Sequence, residues 1–171
     1  MPQLAGEWIL AEDIAPVRYI AKSATETVSA STTMQNDDDF LLVPLAANKT
    51  YRVEVRLSCQ ATAVNANIKT QFVLAGGAAQ KAARHVMASE VATTSTAATL
   101  MTLPVSNVTG VVTSGITNGT SGVTVHYEFL LETTTSGTAG TFTMQWAQGT
   151  ATGTTSLTPS SYMIITEVEA V

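Results

Sequence analysis

Apolar and polar residues alternate along most of this chain, and that period sets its class. The clearest run is 51–59, where Tyr51, Val53, Val55, Leu57 and Cys59 share one side and Arg52, Glu54, Arg56 and Ser58 the other. Successive side chains of a strand project to opposite faces, so this run predicts a half-buried strand. Val123, Val125, Tyr127, Phe129 and Leu131 repeat the pattern against Thr124, His126, Glu128, Leu130 and Glu132. Phe142, Met144 and Trp146 then alternate with Thr141, Thr143 and Gln145. The turn residues 135–140 between these two runs predict that they form a hairpin. Ile68, Thr70, Phe72 and Leu74 make a fourth inward set, closed by Gly76-Gly77, and Val28, Ala30, Thr32 and Met34 make a fifth. In the last strand, Ser161 to Glu169, the expected inward residues are Tyr162, Ile164 and Val168.

Phe40 to Leu45 is apolar on both faces, as suits a strand buried on both sides. Pro44 marks its end or a sheet edge. Residues 78–121 carry the weakest signal. Ala78 to Ala88 is the one helix-friendly stretch, yet it lacks an apolar stripe and fits a strand equally well. Residues 104–121 hold Gly, Asn and Ser at short intervals and fit a hairpin or a long loop. About eight to ten strands with turns between them predict an all-β fold, an antiparallel jelly-roll sandwich or barrel over residues 25–171.

Residues 1–24 differ from the rest. They contain Trp8, Tyr19 and two of the five prolines, with little threonine. They are expected to form a short N-terminal arm that docks on another molecule, and a first strand pair folded back on the domain suits them equally. As an arm, Trp8, Ile9, Leu10 and Tyr19 are its candidate anchors.

Composition narrows the function. Charged residues make up 12% of the chain, about half the usual share, against 45% hydrophobic. The polar surface is therefore built from Thr, Ser, Asn and Gln. A net charge of −5 without any basic run argues against nucleic acid and against an anionic membrane surface. No apolar run approaches the roughly 20 residues a membrane helix needs. Cys59 is the one cysteine; within an alternating strand it fits a small buried hydrophobe. With no disulfide framework and no secretory signal at Met1-Pro2-Gln3-Leu4, folding in a reducing cytoplasm is expected.

No catalytic constellation stands out, so the chain is expected not to be an enzyme and to need no cofactor. His85 and His126 lack a third metal ligand. Asp37-Asp38-Asp39 is the one dense acidic site; without the spacing or glycine of a calcium loop it is expected to be a solvated turn. Glu54, Glu128 and Glu132 are expected to be solvated strand carboxylates, not an acid–base pair.

Two stretches carry a family likeness. One runs from Thr27 through Asp37-Asp38-Asp39-Phe40 into Pro44-Leu45-Ala46-Ala47-Asn48-Lys49-Thr50-Tyr51-Arg52-Val53-Glu54. The other is Gly140-Thr141-Phe142-Thr143-Met144-Gln145-Trp146-Ala147-Gln148 with Ser160-Ser161-Tyr162-Met163-Ile164. Together they resemble structural proteins of tailed bacteriophages. The resemblance spans roughly 25–75 and 122–168, and implies a jelly roll similar to the tumour-necrosis-factor type, usually trimeric. It implies a non-enzymatic virion protein, first a capsid decoration protein bound to the major capsid protein on the outer head surface. The alternative is a tail-fibre or receptor-binding domain. In a homotrimer, Leu41 and Val43 are the candidate subunit contacts.

Overall fold

The structure is a computed structural model and describes residues 16–63, 67–89, 101–103, 109–114 and 119–168. Trp8, Ile9 and Leu10 lie outside the described residues. All regular structure among the described residues is β. In chain order the strands are β1 Val17–Ala21, β2 Glu26–Ser29, β3 Gln35–Asn36, β4 Val43–Leu45, β5 Thr50–Ala61, β6 Ile68–Gly76 and β7 Ala79–Ser89. They continue with β8 Met101–Leu103, β9 Val112–Ser114, β10 Gly119–Glu132, β11 Gly140–Gln148, β12 Thr154–Leu157 and β13 Tyr162–Val168.

The strands form two antiparallel sheets packed face to face, a β-sandwich. The larger runs β1-β13-β5-β10-β7-β8, and the smaller runs β3-β11-β6-β9 with β4 also on β11. Strands β12 and β13 lie end to end along one side of β5, and β10 lies along its other side. Outside them β2 pairs with β12 and β1 with β13.

The core follows the period-2 pattern. Tyr51, Val53, Val55, Leu57 and Cys59 of β5 and Val123, Val125, Tyr127, Phe129 and Leu131 of β10 are buried. From the smaller sheet Ile68, Phe72, Phe142, Met144 and Trp146 close on them. Phe72 lies against Tyr127 (5.4 Å between ring centres) and Phe129 (4.8 Å), and Phe129 meets Phe142 edge-on at 6.3 Å. These contacts cross the sandwich, so the aromatic ladder joins the sheets. The Tyr127 hydroxyl is satisfied by Thr70 Oγ1. The buried Trp146 Nε1 finds no acceptor among the described residues.

Several expectations change. The runs 123–131 and 141–147 are not a hairpin: β10 pairs with β5 and β7, and β11 with β6 in the other sheet. Periodicity says which way a side chain faces, not which strand lies beside it. The link between them is a sandwich corner tied by buried Thr133, whose Oγ1 donates to Ala46 O (2.6 Å) and accepts from Lys49 N (3.0 Å). In β13 the register is one residue off expectation, with Met163 and Ile165 buried and Tyr162 and Ile164 on the opposite face. The helix-friendly stretch is strand β7. Phe40–Leu45 is a strand only over Val43–Leu45. Leu42, at φ 49°, turns its side chain to solvent between buried Phe40 and Val43. In the run from Val28 to Met34 only Val28 is core, because β2 ends at Ser29 and Ala30 adopts φ 47°.

Replacing Phe129 by Ala removes the ring that bridges the sheets and is expected to cost about 3–5 kcal/mol in urea unfolding. Trp146→Phe is expected to cost clearly less, because it also deletes a buried donor without an acceptor. Equal losses for the two variants would contradict this description of the core.

Candidate functional site: an edge strand with its polarity reversed

Strand β1 inverts the usual burial rule. Its inward positions are Arg18 and Ile20, followed by Lys22, while Val17 and Tyr19 stand in solvent. Inward-pointing charge is one way a sheet edge avoids pairing with other chains. Here it also builds two sites on opposite faces of one short strand.

The inner site centres on Lys22. Its amide donates to Ser161 O (2.9 Å) where the chain leaves β1, and its side chain is fully buried. The ammonium donates to Asp38 Oδ1 (2.6 Å), Glu26 Oε2 (3.0 Å), Asp37 Oδ2 (3.0 Å) and Asp39 Oδ2 (3.5 Å). Asp37 is fully buried as well, whereas Asp38 is 62% exposed. The turn is built around Asp37: its Oδ1 accepts the amides of Asp39 (3.0 Å) and Phe40 (3.1 Å), a side-chain-capped turn. Its own amide donates to Met144 O (3.0 Å), which ties the turn to β11. Asp39 Oδ2 accepts Ser23 N (2.9 Å), and Glu26 Oε1 accepts Gln35 Nε2 (2.9 Å). The acidic triplet is therefore not a solvated turn throughout, since its first carboxylate is a buried partner of a lysine fifteen residues earlier.

These partners shift the titrations. Burial pushes Asp37 up to about 6, against the lowering pull of Lys22 and the Phe40 amide. Burial alone would lower Lys22, but its hydrogen bonds to Asp38, Glu26 and Asp37 prevail and hold it above the usual lysine range. The hydrogen bond from Lys22 keeps exposed Asp38 below the usual carboxylate range. Glu26, Asp37 and Asp38 each offer an oxygen within 4.8 Å of the others, a donor set a hard cation accepts. Lys22 bonds all three of these carboxylates, so their shared centre already carries a positive charge.

The outer site is apolar. Tyr19, 63% exposed, stacks on Tyr162 with ring centres 5.5 Å apart. Ile164 pairs with Tyr19 in the ladder, and Val17 lies two positions away on the same face. The neighbouring outer face of β5 and β10 is charged: Arg52 bridges Glu54 (3.1 Å) and Glu128 (2.8 Å). That guanidinium joins the two carboxylates, which face each other across the ladder. Tyr162 and Ile164 are expected inward from the sequence but lie on the outer face, since no local signal separates the two registers of Tyr-Met-Ile-Ile-Thr.

The remaining candidates divide. Leu41 and Leu42 are 43% and 63% exposed, but Val43 is buried in its own core and has no surface to offer a neighbour. Val43 is withdrawn as a subunit contact. Cys59 is free and buried, and burial pushes its thiol up, which suits a packing role. His126 sits half-buried on the outer face of β10, and for His85 only its place in β7 is described. No protein-family model matches the chain, and no curated protein matches it.

Removing the ammonium leaves Asp37 as an uncompensated buried charge. Lys22→Met is expected to cost about 3–5 kcal/mol near neutral pH in urea unfolding. Asp37 in this variant has a folded pKa above its unfolded one, so charging it opposes folding as pH rises through that window. The deficit against wild type is therefore expected to shrink on going down to about pH 4, where Asp37 takes up a proton. A deficit that grows on acidification would contradict this assignment of Asp37.

Proposed function

We propose that the chain is a non-enzymatic virion structural protein. It is a capsid decoration protein that assembles as a homotrimer on the outer head surface of a tailed bacteriophage and binds the major capsid protein. The observation that carries this reading is how the two phage-like stretches meet. Asn36 pairs with Gln145 and Gln35 with Trp146, and the amide of Met144 donates to Phe40 O (3.0 Å). The stretches that resemble phage proteins thus pack against one another in the smaller sheet, as parts of one unit would.

The surface supports a protein whose work is contact. Val17, Tyr19, Tyr162 and Ile164 place apolar and aromatic area on one face beside a charged rim, the composition of an interface centre. Leu41 and Leu42 do the same near Thr143 Oγ1, which accepts the Leu42 amide (3.1 Å). A leucine held at positive φ with its side chain in water is strained, and such strain gathers at contact sites. In this reading Tyr19, with Trp8, Ile9 and Leu10 before it, docks on the shell, and Leu41 with Leu42 meets a neighbouring subunit. A net charge of −5 keeps the protein off nucleic acid.

Sedimentation equilibrium gives the subunit number, and co-sedimentation with undecorated shells gives the binding. The expected results are a trimer that pellets with shells. Leu41→Asp with Leu42→Asp is expected to yield folded monomer. Deleting residues 1–15 or Tyr19→Asp is expected to cut shell binding at least tenfold while the fold stays intact. A monomeric wild type, or one that binds host cells and not shells, would overturn the decoration assignment.

A further inference from the structure

Lys22 and Asp37 are more than an ion pair in their geometry. Lys22 Nζ lies 3.0 Å from Asp37 Oδ2, and both side chains are withdrawn from water. The other oxygen of the same carboxyl, Oδ1, accepts two backbone amides, from Asp39 and Phe40. A third carboxylate, Glu26 Oε2, stands 3.0 Å from the same nitrogen. A nucleophile in contact, two fixed donors on the acyl oxygen and a base beside the nucleophile are the parts that acyl transfer requires.

We propose that Lys22 and Asp37 join in an intramolecular isopeptide bond, formed by the folded chain itself. Lys22 holds its proton firmly, so the reactive form is the minor one reached when the ammonium passes a proton to the Asp37 carboxylate; this leaves a free amine and a neutral carboxyl, with no change in total charge. The amine nitrogen attacks Asp37 Cγ, and the Cγ–N bond forms. Negative charge gathers on Oδ1, where the Asp39 and Phe40 amides stabilise it. Glu26 takes the proton the nitrogen gives up and passes it to the departing Oδ2 hydroxyl. The Cγ–Oδ2 bond breaks and water leaves. Ammonium and carboxylate become amide and water, so no oxidant, metal or cofactor enters the balance.

The acceptor is Asp37 and not its neighbours. Asp38 lies nearer the nitrogen at 2.6 Å, but it is largely exposed and stays ionised, and a carboxylate anion resists attack. Asp39 is farther, at 3.5 Å. Asp37 is the carboxyl that burial pushes towards its neutral, electrophilic form. The bond fastens the end of the edge strand β1 to the turn that leads into β4, across the mouth of the sandwich. A covalent tie there holds an edge that, among the described residues, pairs with a strand on one side only. This inference is independent of the virion assignment.

Electrospray mass of the folded full chain decides it. The expected wild-type mass is one water below the sequence mass, with or without Met1, and proteolysis is expected to release one branched peptide joining Lys22 to Asp37. Lys22→Arg and Glu26→Gln are expected to run at full mass. Glu26→Gln keeps the side chain's shape at a partly exposed position, so its circular dichroism should match wild type. A folded wild type at full mass, with Lys22 recovered as ordinary lysine, overturns the proposal. A branch at Asp38 overturns the choice of acceptor, and a cross-link that survives Glu26→Gln overturns the role of Glu26.

Discussion

A lysine ammonium buried among carboxylates organises one end of this sandwich. Lys22 sits with no exposed side-chain surface against Glu26, Asp37, Asp38 and Asp39, which come from β2 and from the turn after β3. Burying an ammonium is costly unless it is paired and hydrogen-bonded. The charge therefore demands that β1, β2 and the acidic turn arrive together. The turn is tied to β11 through Asp37 N and Met144 O, and Lys22 N is tied to Ser161 O beside β13. Lys22, a cation as the chain folds and an amide once the proposed bond has formed, thereby links the edge of the larger sheet to the smaller sheet.

The apolar part of the core makes no comparable demand. Its aromatic and aliphatic residues fill the space between the sheets, and such packing tolerates substitution of similar volume. The ion cluster specifies geometry instead: which residue of β1 enters, where the acidic turn folds back, and which face of β1 is left outside. Because Lys22 and Ile20 go in, Tyr19 and Val17 go out. The apolar surface offered to a partner is thus the reverse side of the polar site that anchors the strand.

The legible part of this fold was the part governed by period 2. In β5, β6 and β10 alternation gave the buried face residue by residue, from Tyr51 to Cys59, Ile68 to Phe72 and Val123 to Leu131. It failed where both faces carry apolar residues. Tyr162-Met163-Ile164-Ile165 admits two registers, and the sandwich adopts the one that puts Met163 and Ile165 in the core. It failed again at Leu41-Leu42-Val43, where a positive φ at Leu42 breaks the strand that an unbroken apolar run suggested. Strand partners were hidden as well, because β10 and β11 follow one another in sequence but belong to opposite sheets. Lys22 left no trace in any pattern: a lysine in a polar segment and three aspartates in a turn each look solvated until tertiary structure brings them to 3 Å. Of the candidate anchors, Tyr19 stands on the surface, but on a strand of the sheet and not on a separate arm.

Residues 17–22 belong to the sandwich and are held there by the Lys22 cluster. Native-state amide hydrogen exchange tests it most directly, since it reports opening of each strand separately. The β1 amides bonded to β13, and the Lys22 amide bonded to Ser161 O, are expected to be protected as strongly as those of β13 itself. Free exchange across 17–22 beside a protected β5 and β13 would contradict it, and would return the segment to the status of a detached arm.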